Sequence, residues 1–466
     1  MRSRGAILVL ALALGGCTLL GPDYQRPQLD LPDRYPEDAA GASAAVPVPA
    51  NWWRLYEDPL LDKLVAAGLA QNTDVKLAAA RLEEAEGALR EANATLLPEI
   101  DANTFAGRAR SSTRAAPLPP GATAIRNNFQ LSANTSFEID FWGRLRRLRE
   151  AARAQYLQTR YGRDVVSLTL AAAISRSYFN VRSLDAQIIV SGETLVATVD
   201  SADIARRRAE AGLVSELDVN QAEANRAQFA AQIKDLQRLR EATVHQLGLL
   251  TGAPDLKLGA GDLHPAPAPP MPPPGLSSTL LERRPDVRQA EAALIAANAQ
   301  IGVARASQFP TFSLTAALGA QSADLSNLFS SGAGIWSIGL GAVGPIFDAG
   351  RYAARTEQAE ARARQAAAVY ERAVQTAFRE VADALSNVRL AADAEQDLRD
   401  RVERAQNTLR LATLRYEAGY SAYLEVLDAR RTLNDAQLAL ARNRQLYLSY
   451  TVDLMNALGG GWTADY

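Results

Sequence analysis

The 466-residue chain is short of the side chains that usually carry chemistry. It has one cysteine, Cys17, and two histidines, His245 and His264. A single cysteine excludes an intrachain disulfide. With two histidines far apart in sequence, it also excludes a Cys/His zinc site within one chain. Carboxylates are plentiful, so composition leaves an oxygen-ligand cation site open. Lysine is scarce beside arginine, and the formal net charge of −2 provides no global basic field for nucleic acid. Beyond residue 20 no apolar run approaches the ~18 residues of a membrane-spanning helix; any crossing of a bilayer has to be made by a closed β-barrel. There is no Gly-rich phosphate loop with a following Lys-Ser/Thr and no GxSxG elbow. Gly459-Gly460-Gly461 reads as a chain-end breaker. The expectation is a protein without catalysis, cofactor or resident metal.

What is present begins with an address. Met1 to Cys17 reads MRSRGAILVLALALGGC, with Arg2 and Arg4 before a short apolar stretch, Ala6 to Leu14. This is a secretory signal, too short for a permanent anchor. Its end, Leu14-Gly15-Gly16-Cys17, has the form of a bacterial lipobox. Cleavage before Cys17 leaves that residue at the mature N-terminus to carry acyl chains, each buried CH₂ contributing ~0.8 kcal/mol to anchoring. Thr18, where an Asp would signal inner-membrane retention, points to the outer membrane.

The chain is also a duplication. Asp74-Val75 recurs as Asp286-Val287 and Pro98 as Pro310, both 212 residues on. Farther along the offset is 207: Gly143-Arg144 recurs as Gly350-Arg351, Asn180-Val181-Arg182 as Asn387-Val388-Arg389, and Ala211-Gly212 as Ala418-Gly419. The boundaries are a signal over 1–16, a lipid-anchored segment over 17–60, repeats over 61–252 and 276–459, a Pro-rich linker over 253–275, and a tail over 460–466.

Within the first repeat, helical spacing over 74–97 stops at Pro98. Phe129 to Phe141 then alternates apolar and polar residues, a long half-buried strand. Its partner is 99–108, and the loop 115–123 joins them in a hairpin over 99–141. Such a strand suits a soluble sandwich or a membrane barrel, and Trp142 at its end suits an interfacial aromatic girdle. Helical spacing resumes over 143–211, about 100 Å at 1.5 Å per residue, and returns over 216–250 after Gly212. The Arg-rich stretch Arg144 to Arg153 faces water or headgroups. The second repeat offers strands over 311–319 and 336–347 (hairpin 311–347) and helices over 351–417 and 423–457. Four strands cannot close a barrel, so copies would have to share one. Periodicity alone leaves a solid coiled-coil rod open.

Lipobox Cys17, Asn51 to Leu61 (NWWRLYEDPLL), Gln71 to Val75 (QNTDV), the turns Glu210 to Val219 and Tyr416 to Asp428, and Pro345 to Arg351 (PIFDAGR) together resemble the outer-membrane factors of the TolC/OprM, NodT-like type. The resemblance covers essentially the whole mature chain. It implies a mainly α fold with a membrane β-barrel: a homotrimer with a twelve-stranded barrel in the outer membrane, continued by a helical barrel in the periplasm. It implies a passive exit duct for small molecules, with a periplasmic adaptor and an inner-membrane transporter of the RND type as partners. It places Asp218, Glu425 and Asp428 near the inner mouth, with Tyr416 and Arg208 beside them. The turns Gly212, Leu213, Ser215, Gly419 and Ser421 become the adaptor's docking sites. Ser421 stands where TolC-like tips carry an arginine, which argues against an Arg–Asp latch there. The bland alternative for the three acids is solvated helix-end charge. Other classes remain: a lipid-anchored coiled-coil scaffold or adaptor, and the same fold serving protein secretion.

Overall fold

The computed structural model describes residues 19–28, 49–112, 114, 123–261, 263 and 283–460. Cys17 with its signal, the loop residues 115–122, the linker from 264 to 275 and the tail beyond Gly460 lie outside the described residues. In chain order the elements are a 3₁₀ turn Trp52–Tyr56, α1 Pro59–Gln71, α2 Thr73–Ala94, β1 Glu99–Arg110, β2 Ile125–Ile139, α3 Arg144–Glu210, α4 Glu216–Thr251, α5 Pro285–Ala306, β3 Thr311–Ser322, β4 Gly334–Val343, α6 Arg351–Glu417 and α7 Tyr423–Ala457. An offset of 212 carries both ends of β1 onto both ends of β3, and 207 carries α3 onto α6. The compact units of the fold are not these two repeats. Among the described residues, one unit gathers 19–28, 81–159 and 290–370, and the other gathers 49–80, 160–289 and 371–460. Helices α3 and α6 are so long that each repeat supplies residues to both.

The first unit holds a four-stranded antiparallel sheet in the order β1-β2-β3-β4. Two strands end sooner than their patterns suggest. β2 stops at Ile139, not Phe141, because Asp140 turns to cap α3, accepting from Leu145 N and Arg146 N at 2.9 Å. β4 stops at Val343, not Phe347, since Pro345 has no N–H for a ladder. Residues 19–28 form a strap over this unit. Arg147 donates to Leu20 O, Gly21 O and Asp23. Farther along, Arg26 bonds Glu291 bidentately. Gly21 (φ +96°) lies so close to Gly302 that an added Cβ would sit 2.5 Å from its Cα.

The core of the second unit gathers Trp52, Tyr56, Leu61, Val65, Ile174, Phe179, Leu247, Leu448 and Val452. Trp52 and Tyr56 fall within the segment assigned to the lipid anchor over 17–60, yet both are fully buried. The Tyr56 hydroxyl meets Thr451 Oγ1 at 2.8 Å inside the core. Asp58 caps α1, with Pro59 at its first position. A polar chain then runs outward. Tyr178 donates to Asp58, Arg182 donates to Tyr178, and Asp185 accepts from Arg182, from Arg240 and from Gly261 N. The guanidinium groups also hold Gly259 O and Leu258 O. The first part of the linker is thereby stapled to α3 and α4.

Burial pushes the Asp164 carboxyl above its ordinary value, against the pull of Arg163 and Arg160. Its Oδ2 finds no partner among the described residues. The native state therefore holds this proton more tightly than the unfolded chain. Asp164 contributes stability below the ordinary 3.8 and loses it as pH rises through the raised native value. Asp164→Asn is expected to flatten the fall of melting temperature over that window; unchanged pH dependence in detergent melts would refute this.

Candidate functional site

Two surfaces carry the functional geometry, one in each unit. The first is the sheet. Directly paired residues share a face, so the register sorts every side chain. One face carries Ile100, Ala102, Phe129, Leu131, Phe137, Ile139, Phe312, Leu314, Leu318, Trp336, Ile338 and Leu340. The other is mainly polar, with Asp101, Asn103, Gln130, Ser132, Asn134, Glu138, Ser313, Thr315, Gly339 and Gly341, and also holds Phe105, Ile335 and Val343. The apolar face is solvent-exposed in the single chain, with Leu318 at 69 % and Trp336 at 77 %. An apolar band across all four strands with a polar reverse is the pattern of a lipid-facing barrel wall. A soluble sandwich would bury that face. No helix among the described residues is long and apolar enough to cross a membrane.

At the helix end of the sheet sits an aromatic clasp. Trp142 lies 4.8 Å from Phe141 and 4.6 Å from Phe309, and donates from Nε1 to Pro310 O at 2.9 Å. Leu20 N donates to Trp142 O, which sets the strap at the same level. Just beyond, Arg144 bonds Glu138 and Arg146 bonds Asp140.

The second surface is the pair of helix turns. Both use one device: Gly212 (φ +71°) and Gly419 (φ +77°) adopt left-handed backbone after α3 and α6. Leu213 N reaches back to Arg208 O, and Tyr420 N to Arg415 O, at 2.8 Å each. Ser215 and Asp218 form a reciprocal cap on α4, with Asp218 N 3.4 Å from Ser215 Oγ and Ser215 N 3.2 Å from Asp218 Oδ2. Ser215→Ala is expected to cost about 1 kcal/mol locally. Amide exchange over 216–219 should quicken while the melting temperature holds; unchanged exchange would count against the cap.

The acids of interest each have a partner within the chain. Besides the Asp218 cap, Glu425 lies 3.7 Å from Arg415, and Asp428 lies 2.9 Å from Arg431. Arg208 stacks over Tyr416 at 5.1 Å, and Tyr416 contacts Tyr423 at 5.2 Å. Ser421 Oγ is buried without a partner among the described residues.

Sequence reading missed the brace behind these turns. Arg430 Nη1 donates to Ala197 O at 2.6 Å and to Ser201 Oγ at 2.9 Å, tying α7 to α3. Burial lowers its affinity for the proton, while Tyr423 and Asp200 pull the other way. The signal was available: Tyr423, Val426, Leu427 and Arg430 recur at three-four spacing on the inward side of α7. Arg206 of α3 likewise bonds Glu223 of α4. Bonds to Arg226, and the charge of both arginines, hold Glu223 below the usual carboxylate range.

Known proteins resemble this chain over nearly its whole length. Residues 64–253 and 276–460 match the family described as outer membrane efflux protein. The probable efflux pump outer membrane protein TtgC of Pseudomonas putida is 35 % identical, over 98 % of this chain and 95 % of its own. The cation efflux system protein CusC of Escherichia coli is 33 % identical, over 97 % of each. The solved structure of the outer-membrane channel OprN superposes with a TM-score of 0.87 at 29 % identity, covering 96 % of this chain and 100 % of that one.

Proposed function

Because this chain belongs to the outer membrane efflux protein family, we propose that three copies of it close one duct, anchored by acylated Cys17 and fed by a periplasmic adaptor and an RND-type transporter. The protein is an outer-membrane channel component of an efflux system and extends into the periplasm. The observation that carries the trimer is the sheet itself. Its outer edges, on β1 and β4, have no strand partner among the described residues, and its apolar face is bare. Open edges cannot stand in hydrocarbon, and three copies supply twelve strands.

The duct does no bond chemistry. Its wall sets Gln130, Asn134, Glu138 and Thr315 toward water, and presents Leu131, Leu318 and Ile338 to acyl chains. Leu20, pinned at the aromatic clasp, is three residues from Cys17, at most about 10 Å of chain. That reach supports an anchor seated at the membrane surface. At the turns, a three-fold axis brings Asp218, Glu425 and Asp428 near their copies, with Arg208 and Tyr416 behind them. Rings of like charge are costly when dry and favour a wetted, open mouth. The cargo is small molecules: drugs, toxic compounds or metal ions.

Single-particle electron microscopy of the detergent-extracted protein tests this. A three-fold hollow tube about 100 Å or longer, as α3 requires, is expected. A monomer or a solid rod overturns it.

A further inference from the structure

The duplication reaches into the hydrogen-bond register. Offsets of 212 for β1 and 207 for β2 carry the pair Glu99–Ser136 onto Thr311–Val343, Asn103–Ser132 onto Thr315–Gly339, and Arg108–Asn127 onto Ala320–Gly334. The second hairpin repeats the pairing of the first without a slip. The two hairpins meet at β2 and β3, where Thr135 faces Ala316, Ala133 faces Leu318 and Ile139 faces Phe312. This joint lies within one chain, and it is the same kind of joint that the free edges of β4 and β1 would make between copies. A ring built from equal hairpins closes evenly when each joint carries the same stagger.

We propose that β4 of one copy pairs antiparallel with β1 of the next in the register obtained by carrying the β2–β3 joint forward with those offsets. Leu340 then faces the partner's Ala106, and Ala342 faces the partner's Thr104. This rests on the trimeric reading above and adds to it the alignment of the seam between subunits.

One feature that played no part in deriving the register agrees with it. It keeps Trp336, Ile338, Leu340 and Ala342 on the same face as Ile100, Ala102, Thr104 and Ala106, so the apolar band continues across the seam. A slip of one residue would turn one strand's apolar residues into the lumen.

Cysteine pairs in the full-length protein, in membranes, test the alignment. Leu340→Cys with Ala106→Cys is compared with Leu340→Cys plus Thr104→Cys and Leu340→Cys plus Arg108→Cys. All lie on one face, and the last two report slips of two residues in either direction. Single-cysteine variants control for Cys17. Mild oxidation should convert most of the 340/106 protein to covalent trimer on non-reducing gels, at least severalfold more than either shifted pair. Preferential trapping of a shifted pair overturns the register while leaving the trimer intact. If no pair crosslinks and the mass in detergent is that of a monomer, the trimeric reading falls and this one with it. A trimeric mass with no crosslink at any pair overturns the β4–β1 seam alone.

Discussion

Alanine in place of Asp185 is expected to cost about 3–5 kcal/mol, the range for breaking a buried ion pair from one side. The Asp185 side chain is 2 % exposed, and those of Arg182 and Arg240 are 10 % and 19 % exposed. Removing the carboxylate leaves two guanidinium groups facing each other across a dry gap and strips Gly261 N of its acceptor. Gly261 packs so close to Arg182 that a Cβ there would sit 2.2 Å from its Nη1, so the linker backbone and the guanidinium share one tight contact. The melting temperature in detergent should fall by several degrees, and the amides over 256–261 should lose protection. Asp185→Asn keeps an acceptor for Gly261 and should lose less. A melting temperature within a degree of the parent for Asp185→Ala would show that the network is decorative.

The second large effect separates a membrane wall from a soluble sheet. Leu318 is exposed in the single chain and stands opposite Ala133 and Trp336. On a water-facing surface Leu318→Arg would change stability by no more than about 0.5 kcal/mol. On a lipid-facing strand near the bilayer middle it costs about 2–4 kcal/mol. The expected result is a severe loss of folded protein from the outer-membrane fraction. Gln130→Arg, on the opposite face, should be recovered at near-parental yield. Equal yields for the two variants would place water on both sides of the sheet and end the barrel reading.

How much of this was legible in the sequence depends on the range of the interaction. Helix stops at Gly212 and Gly419 are local, set by residues that enter left-handed backbone at little cost. β2 was legible because thirteen residues alternate without a break, while β3 and β4 are blurred by Gly319, Gly334, Gly339 and Gly341. The strand ends were misread where one residue serves two elements, as Asp140 does. The polar chain from Asp58 through Asp185 to Gly261 could not be read at all. Its links from Tyr178 to Asp58 and from Asp185 to Arg240 and Gly261 span 55 to 120 residues, and only the steps among Tyr178, Arg182 and Asp185 within α3 are local. At the turns the identities were legible but the roles were not. Ser215 and Asp218, three apart before a helix, fit an ordinary cap as well as a charge set at a mouth.

The strap over residues 19–28 bears on the order in which the chain matures. It rests on Arg147 from the first repeat and on Glu291, Asn298 and Gly302 from the second. The contacts with Glu291 and Asn298 span 265 to 276 residues, and contacts so distant in sequence carry a large loop-closure cost and form slowly. The strap precedes α5 in the chain, yet its seat is incomplete until α5 has docked. A segment made early is therefore among the last to settle.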